Sequence, residues 1–272
     1  MIVPADLDAV IEAAWHKARD VPGYLGELEF RALGLLAAVS QGPGVAVEIG
    51  SFKGKSTAVL ASVRAHYGLG PVVSIDPHNA PSSTDPDLQG QSSSFDDFLA
   101  TLRSTSIEQH VEVHRVSSRQ AAVGWSRPIG FLWIDGDHTY EGAKEDLDLF
   151  LPFVSEGAVV AFHDTLHEFE GPIRVFVENM LRSDAFGPAG FLHTIGWAQY
   201  RPRDGARFRK ERERLAERAA RLIPFVARGR EVKGLAKLRY KLRRALVPHA
   251  VLTPAEWAVR IPMSIESPRQ PS

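Results

Sequence analysis

Between Val45 and Asp76 the chain reads as a short apolar run, a glycine turn, an apolar run of helical length, a second short apolar run and an acid. Val45 to Ile49 is too short for a helix and suits a strand buried on both faces. Gly50 and Gly54 let the backbone turn tightly and approach a ligand that a side chain would block. A helix beginning near Ser56 aims its free N–H groups at that ligand, and apolar residues continue it through Val63. Val72–Ile75 predicts the next strand. Asp76 closes it, where a carboxylate can accept hydrogen bonds from both hydroxyls of a ribose. This order marks a parallel α/β sheet with a nucleotide-type cofactor at its carboxyl edge.

Two ligands compete for the glycine turn. Gly50-x-x-x-Gly54-Lys55-Ser56 approaches a phosphate-binding P-loop, but that loop needs one more residue between its glycines. Glu48 would also point negative charge toward a polyphosphate. An acid there suits a cofactor that carries a cation and no phosphate, and S-adenosylmethionine is such a cofactor. The residues expected around it are Glu48, Gly50, Ser51, Gly54, Ser56 and Asp76. The alternative enzyme is a P-loop-like nucleotide hydrolase or kinase, with Asp135 as its magnesium-binding acid after Trp133-Ile134. A third reading is a cofactor-binding interaction domain without catalysis.

A second block repeats the pattern. Phe131-Leu132-Trp133-Ile134 predicts a buried strand that ends in Asp135-Gly136-Asp137-His138 and leads into a helix over Ala143–Phe150. Gly157–Phe162 predicts a further strand ending on His163-Asp164. In open α/β sheets ligands sit beyond the carboxyl ends of the strands. Glu48, Asp76, Asp135, Asp137, His138, His163 and Asp164 all fall there, on different strands.

The stretches VEIGSFKGKST, VVSIDPH and FLWIDGDHTYEGAKEDLDLFLPFVSEGAVVAFHDT together resemble class I S-adenosylmethionine-dependent methyltransferases. They are most similar to the subgroup with Ile-Asp-Gly-Asp-His-x-Tyr and Phe-His-Asp signatures, as in macrocin-type and catechol-type O-methyltransferases. The resemblance covers roughly residues 25–200. It implies a Rossmann-like, doubly wound, seven-stranded and mostly parallel sheet, with Gly50 and Gly54 under the methionine part of the cofactor. It also implies Asp76 on the ribose, Ser117 and Ser118 near the adenine, and Asp135 facing the cofactor.

A divalent cation is part of what the resemblance implies, with Asp135, His163 and Asp164 at the matching positions. His163 departs from an all-oxygen set; oxygen ligands favour Mg²⁺, whereas an imidazole shifts preference toward a transition metal. Alternatively His163 binds no metal and acts as a base or orients the substrate. Methyl transfer to a hydroxyl of a small molecule or sugar needs alignment of donor and acceptor, and removal of the hydroxyl proton. His138 or His163 is the expected base, with Asp135 orienting either one. His66, His110, His114, His167, His193 and His249 are expected at the surface or in supporting positions.

Other chemistries lack their residues. The chain has no cysteine, which excludes thiolate nucleophiles, Cys-ligated zinc, iron–sulfur clusters and disulfides. His167-Glu168-Phe169-Glu170-Gly171 begins like a zinc-protease helix but lacks the second histidine, and no Gly-x-Ser-x-Gly elbow appears. With 44% apolar residues and a net charge of −1, a core is affordable and no bulk charge points to nucleic acid. No apolar run is long enough to span a bilayer, and Met1 to Asp6 does not read as a signal peptide. A cytoplasmic address is the expectation.

Three regions are expected: an N-terminal helical cap over 1–43, a cofactor-binding core over 44–203 and a basic helical extension over 204–272. Helices are predicted over residues 5–19 and Glu27–Val39. A long polar loop over 77–95 reads as a lid or a surface insertion. Phe191–Tyr200 reads as a strand pair with Gly196 between its halves. From Arg201 to Ala250 there are 17 Lys/Arg against 5 Asp/Glu. Leu215, Ala219, Leu222 and Ile223, then Leu235, Leu238, Leu242 and Leu246, recur at helical spacing. They predict two basic amphipathic helices joined around Pro224 and Gly229. Their apolar stripes suit the acidic catalytic domain, a second subunit in a homo-oligomer, or peripheral contact with an anionic membrane; nucleic acid ranks last.

Overall fold

The computed structural model of the chain describes residues 3–79, 92–226 and 232–261. Most of the expected polar loop, the Gly229 junction and the end of the basic extension lie outside these residues. Helices α1 (Leu7–Ala18) and α2 (Glu27–Val39) precede β1 (Val45–Ile49), α3 (Lys55–His66) and β2 (Val72–Ile75). After α4 (Phe95–Thr105) come β3 (Val111–His114), α5 (Ser118–Ala122), β4 (Ile129–Ile134), α6 (Tyr140–Phe150) and β5 (Val154–Phe162). Helix α7 (Glu170–Val175) continues as a π-helical turn over Phe176–Leu181, followed by β6 (Phe186–Leu192) and β7 (Ile195–Tyr200). The C-terminal part holds α8 (Arg209–Ala220), α9 (Ile223–Val226), α10 (Gly234–Arg244) and α11 (Pro254–Arg260).

The strands form one sheet in the order β3-β2-β1-β4-β5-β7-β6. Pairs β2–β3, β1–β2, β1–β4 and β4–β5 are parallel, while β7 runs antiparallel to both β5 and β6. This is the doubly wound, mostly parallel fold that the alternating strand and helix runs predict. The order reverses between β1 and β4, so their following helices leave toward opposite faces and open a crevice between the strand ends.

Alternation along each strand supplies both faces. Ala46, Val72, Phe131, Trp133, Val159 and Ala161 face one core, shared with Ile11, Phe30, Leu33 and Val59 of α1, α2 and α3. Val47, Ile49, Val73, Leu132, Ile134 and Val160 face the other, shared with Leu147, Phe150, Ile173 and Phe176. Burial on both sides explains why these strands read as unbroken apolar runs.

Two local expectations change. The strand pair turns at His193-Thr194, and Gly196 lies inside β7, paired with Phe162 and Phe191. A Cβ on Gly196 would come within 2.8 Å of Thr165 Cγ2, so this glycine serves close packing of β7. The two basic helices also differ from each other. Helix α8 packs inward: Ala216, Ala219 and Leu222 are buried with the β6 side of the core. Its Arg212 is 1% exposed and donates to the carbonyls of Leu181, Ser183, Phe186 and Gly205. Helix α10 instead leaves its leucines exposed. None of the helices among the described residues is long and apolar enough to cross a membrane.

Arg212 thus ties α8 to the carbonyls of Leu181, Ser183, Phe186 and Gly205. Arg212→Met should keep the buried stem but strand those acceptors. A loss of about 3 kcal/mol in unfolding free energy is expected from urea titration; an unchanged midpoint would contradict this role.

Candidate functional site

Each strand of the parallel sheet hands its next residue to the same edge by one backbone bond. Gly50 N–H donates to Ile75 O, Asp76 N–H to His114 O, Asp135 N–H to Ile49 O and His163 N–H to Ile134 O. Four residues singled out in the sequence therefore sit at consecutive strand ends, and Glu48 lies just below them in β1.

The glycine turn is built by contacts as well as by conformation. Gly50 has φ +82°, and a Cβ there would lie 2.2 Å from the carbonyl oxygen of Asp135. Gly54 starts α3 at φ +88°, with Phe98 and Thr101 of α4 3.1 and 3.2 Å from where its Cβ would be. Asp76 fastens the turn from the neighbouring strand. Its Oδ2 accepts from the N–H groups of Ser51 and Phe52, at 2.9 and 2.8 Å, and its Oδ1 from that of His78 at 2.7 Å. Two amides that a P-loop would offer to phosphate, those of Ser51 and Phe52, are thus already held by a carboxylate, which argues against the nucleotide-hydrolase reading. The Ser51 hydroxyl is buried beside this turn without a hydrogen-bond partner.

Glu48 is fully buried, and its two oxygens accept from Ser56 Oγ and Thr57 Oγ1, both at 2.6 Å. The bonds clamp β1 to the first turn of α3, so Glu48 and Ser56 are joined to each other. Burial pushes the Glu48 carboxyl up to about 7, against the two hydroxyl bonds and with help from the charges of Asp135 and Asp76. Ser117 caps α5, where its Oγ accepts from Gln120 N–H. Ser118 hydrogen-bonds Asp146, whose carboxyl burial pushes up to about 6 despite that bond. These serines follow β3, further along the edge than the Asp135 group.

Asp135, His138, His163 and Asp164 converge. His163 Nδ1 lies 3.1 Å from Asp135 Oδ1 and 3.7 Å from Asp164 Oδ2, and its Nε2 lies 3.6 Å from Glu29 Oε1. Burial pushes the His163 imidazole down, but the charges of Asp135 and Asp164, the bond to Asp135 and the nearby Glu29 carboxylate outweigh it, holding the ring well above its ordinary value. His138 Nε2 faces the same carboxylates, 3.5 Å from Asp164 and 3.8 Å from Asp135, too far for a hydrogen bond. Burial opposes its protonation, and the two aspartates reverse that, raising it. Burial likewise works to raise Asp135, and the two imidazoles outweigh it and lower it. Among the described residues, Asp135, His138 and Asp164 offer ligand atoms all within 4.8 Å of one another. The candidate cation donors therefore include His138, while His163 contacts both carboxylates from a buried position.

Several site residues escaped sequence reading. Glu29 of α2 accepts from Gly26 N–H, His193 Nδ1 and Thr194 Oγ1 and faces His163. Burial acts to raise its carboxyl, but His163, His193 and Thr194 lower it far below its ordinary value. An acid at the start of an apolar helix reads as a cap, which it also is. Phe169 stacks on His138 at 4.3 Å between ring centroids. His193, expected in a supporting position, lines an open cleft of about 530 Å³ with Leu28, Val247, His249 and Val251. Phe52, His78, Asp164 and His193 all adopt positive φ, from 47° to 55°. Such strain in non-glycine residues gathers where function holds the backbone.

Residues 47–165 match the model of a family described as a methyltransferase domain. The solved structure of the O-methyltransferase NovP is similar over 72% of this chain and 98% of its own, at 16% identity and a TM-score of 0.56. Cofactor-bound Rv0187 from MTB is similar over 74% and 90%, at 17% identity and a TM-score of 0.51. A putative O-methyltransferase from Klebsiella pneumoniae is similar over 73% and 90%, at 18% identity and a TM-score of 0.50. At these identities the structures share the fold.

Glu48 makes a pH-dependent contribution. Its folded value of about 7 lies above the ordinary 4.5, so the folded chain holds a proton that the unfolded chain releases first. Stability from Glu48 is full below about pH 4.5 and is lost as pH rises through about 7. Relative to Glu48→Gln, cofactor-free wild type should lose about 3 kcal/mol across that window in denaturant titrations. Parallel pH profiles for the two proteins would refute the shift.

Proposed function

We propose that this chain, which carries an S-adenosylmethionine-dependent methyltransferase domain, methylates a hydroxyl oxygen of a small molecule or sugar. In this reading residues 44–203 are the catalytic core, residues 1–43 a helical cap and residues 204–272 a basic extension. The observation that carries it is the meeting of Asp135, His138 and Asp164 at the sheet edge where Gly50 and Asp76 end their own strands.

The residues present fit the cofactor. The Ser51 hydroxyl is buried without a partner, and it adjoins the first turn of α3, whose amides favour a carboxylate. Asp76 already accepts three backbone N–H bonds, which leaves about one of its lone-pair sites for a ribose hydroxyl. S-adenosylmethionine, when bound, supplies an electrophilic methyl group on a sulfonium. Buried Glu48 supports the turn through Ser56 and Thr57 instead of meeting that charge directly.

His138 takes the proton of the acceptor hydroxyl, its ring set beside Asp135 and Asp164. Those carboxylates stabilise the imidazolium that forms, and Phe169 fixes the ring plane. His163, charged and buried, offsets Glu29, Asp135 and Asp164, so the acids can stay ionised together. General-base assistance of this kind contributes about 10²–10⁴-fold.

A cation-dependent reading rests on the same three donors. Asp135, His138 and Asp164 would then hold a divalent ion, and the mixed carboxylate–imidazole set leans toward a transition metal over Mg²⁺. The ion would supply acidification of the acceptor hydroxyl.

Turnover on a panel of catechols and hydroxylated sugars tests the assignment. His138→Ala should lower kcat by about 10²-fold or more while binding of S-adenosylhomocysteine persists. An unchanged kcat would remove His138 from the chemistry. EDTA should leave wild-type turnover intact if His138 is the base, whereas loss restored by Mn²⁺ or Mg²⁺ would select the cation-dependent reading.

A further inference from the structure

Helix α10 shows two unlike faces. Tyr240 is buried and donates its hydroxyl to His167 O at 2.6 Å, beside the ring of Phe225. Val232 and Val247, at either end, are buried with the same core. Lys237 pairs with Glu168 at 3.2 Å, and the Arg243 guanidinium lies over Phe225. The helix is therefore held to the body along one side.

The opposite side is apolar and open. Leu235, Leu238, Leu242 and Leu246 are 75%, 55%, 62% and 62% exposed. Their spacing of three, four and four residues places them on one stripe. Among the described residues, nothing of the core covers this run of leucines on an otherwise anchored helix. The charges beside it have one sign: residues 232–255 contain Lys233, Lys237, Arg239, Lys241, Arg243 and Arg244 and no Asp or Glu.

We propose that α10 lies on an anionic lipid bilayer, with its leucines at the acyl boundary and its flanking lysines and arginines at the headgroups. Charge complementarity selects this occupant. Two copies joined stripe to stripe would oppose two wholly basic helices, whereas anionic headgroups meet those charges as the leucines leave water. Helix α8 carries Glu211, Glu213 and Glu217 among its basic residues, and it spends its apolar stripe on the core and its Arg212 on carbonyls. The bilayer contact therefore belongs to α10 and not to the extension as a whole.

Co-sedimentation of the full chain with phosphatidylcholine vesicles, with and without phosphatidylglycerol, tests this. About ten-fold more protein should pellet with the anionic vesicles, and added salt should release it. Leu238→Gln combined with Leu242→Gln should abolish the difference at an unchanged melting temperature, since both side chains are exposed. Arg239→Glu combined with Lys241→Glu should do the same while keeping the leucines. Equal pelleting on both vesicle types, no pelleting on either, or wild-type pelleting by both variants would overturn the proposal. So would light scattering that shows a wild-type dimer dissolved by the leucine substitutions, since the stripe would then be covered by a second copy.

Discussion

Asp135 reaches the crevice because its amide donates to the carbonyl of Ile49 at 2.8 Å, and Gly50 sits so close to the Asp135 carbonyl that no side chain fits between them. This contact joins the last residues of β1 and β4, where the strand order reverses. The other strand-end bonds, from Gly50 to Ile75, Asp76 to His114 and His163 to Ile134, repeat it on either side. A parallel sheet staggers its strand ends in this way whatever the side chains are. The chemistry of the edge then depends on which residue follows each strand, and here those residues are glycine, two aspartates and histidine.

Placing several acids side by side is costly unless cations or hydrogen bonds accompany them. The two halves of the edge meet this need differently. Around the glycine turn, Asp76 is satisfied by three backbone amides and Glu48 by two hydroxyls. Around β4 and β5, a buried imidazole stands between Asp135, Asp164 and Glu29. The first half is held by hydrogen bonds alone. The second carries charge, and His138 opens onto it. Through His167, Glu168 and Phe169, the loop after β5 connects that half to α10 as well as to His138.

Much of this was legible in the residues themselves. Strands buried on both faces announce themselves as apolar runs, so β1, β2, β4 and β5 could be placed, with the acids that follow them. Helix α2 could be placed because the Gly42-Pro43-Gly44 breaker follows its apolar run. Strand β3 could not: Val111–His114 is short and only partly buried at the sheet edge, so it lacks an apolar run. Glu29 was missed, and with it the link to His193, for a different reason. They are 164 residues apart, and only the packing of α2 against the β6–β7 turn makes them neighbours. Periodicity predicted α8 and α10 alike; which stripe is covered depends on contacts that spacing does not encode.

The central claim is that the crevice at the β1 and β2 ends accepts an adenosyl sulfonium and no polyphosphate, because Asp76 already holds the Ser51 and Phe52 amides of the turn. Isothermal titration calorimetry of the purified chain with S-adenosylhomocysteine and, separately, with ATP and Mg²⁺ measures this most directly. The account predicts saturable binding of S-adenosylhomocysteine and no heat from the nucleotide. Saturable binding of ATP, with none of S-adenosylhomocysteine, would contradict it.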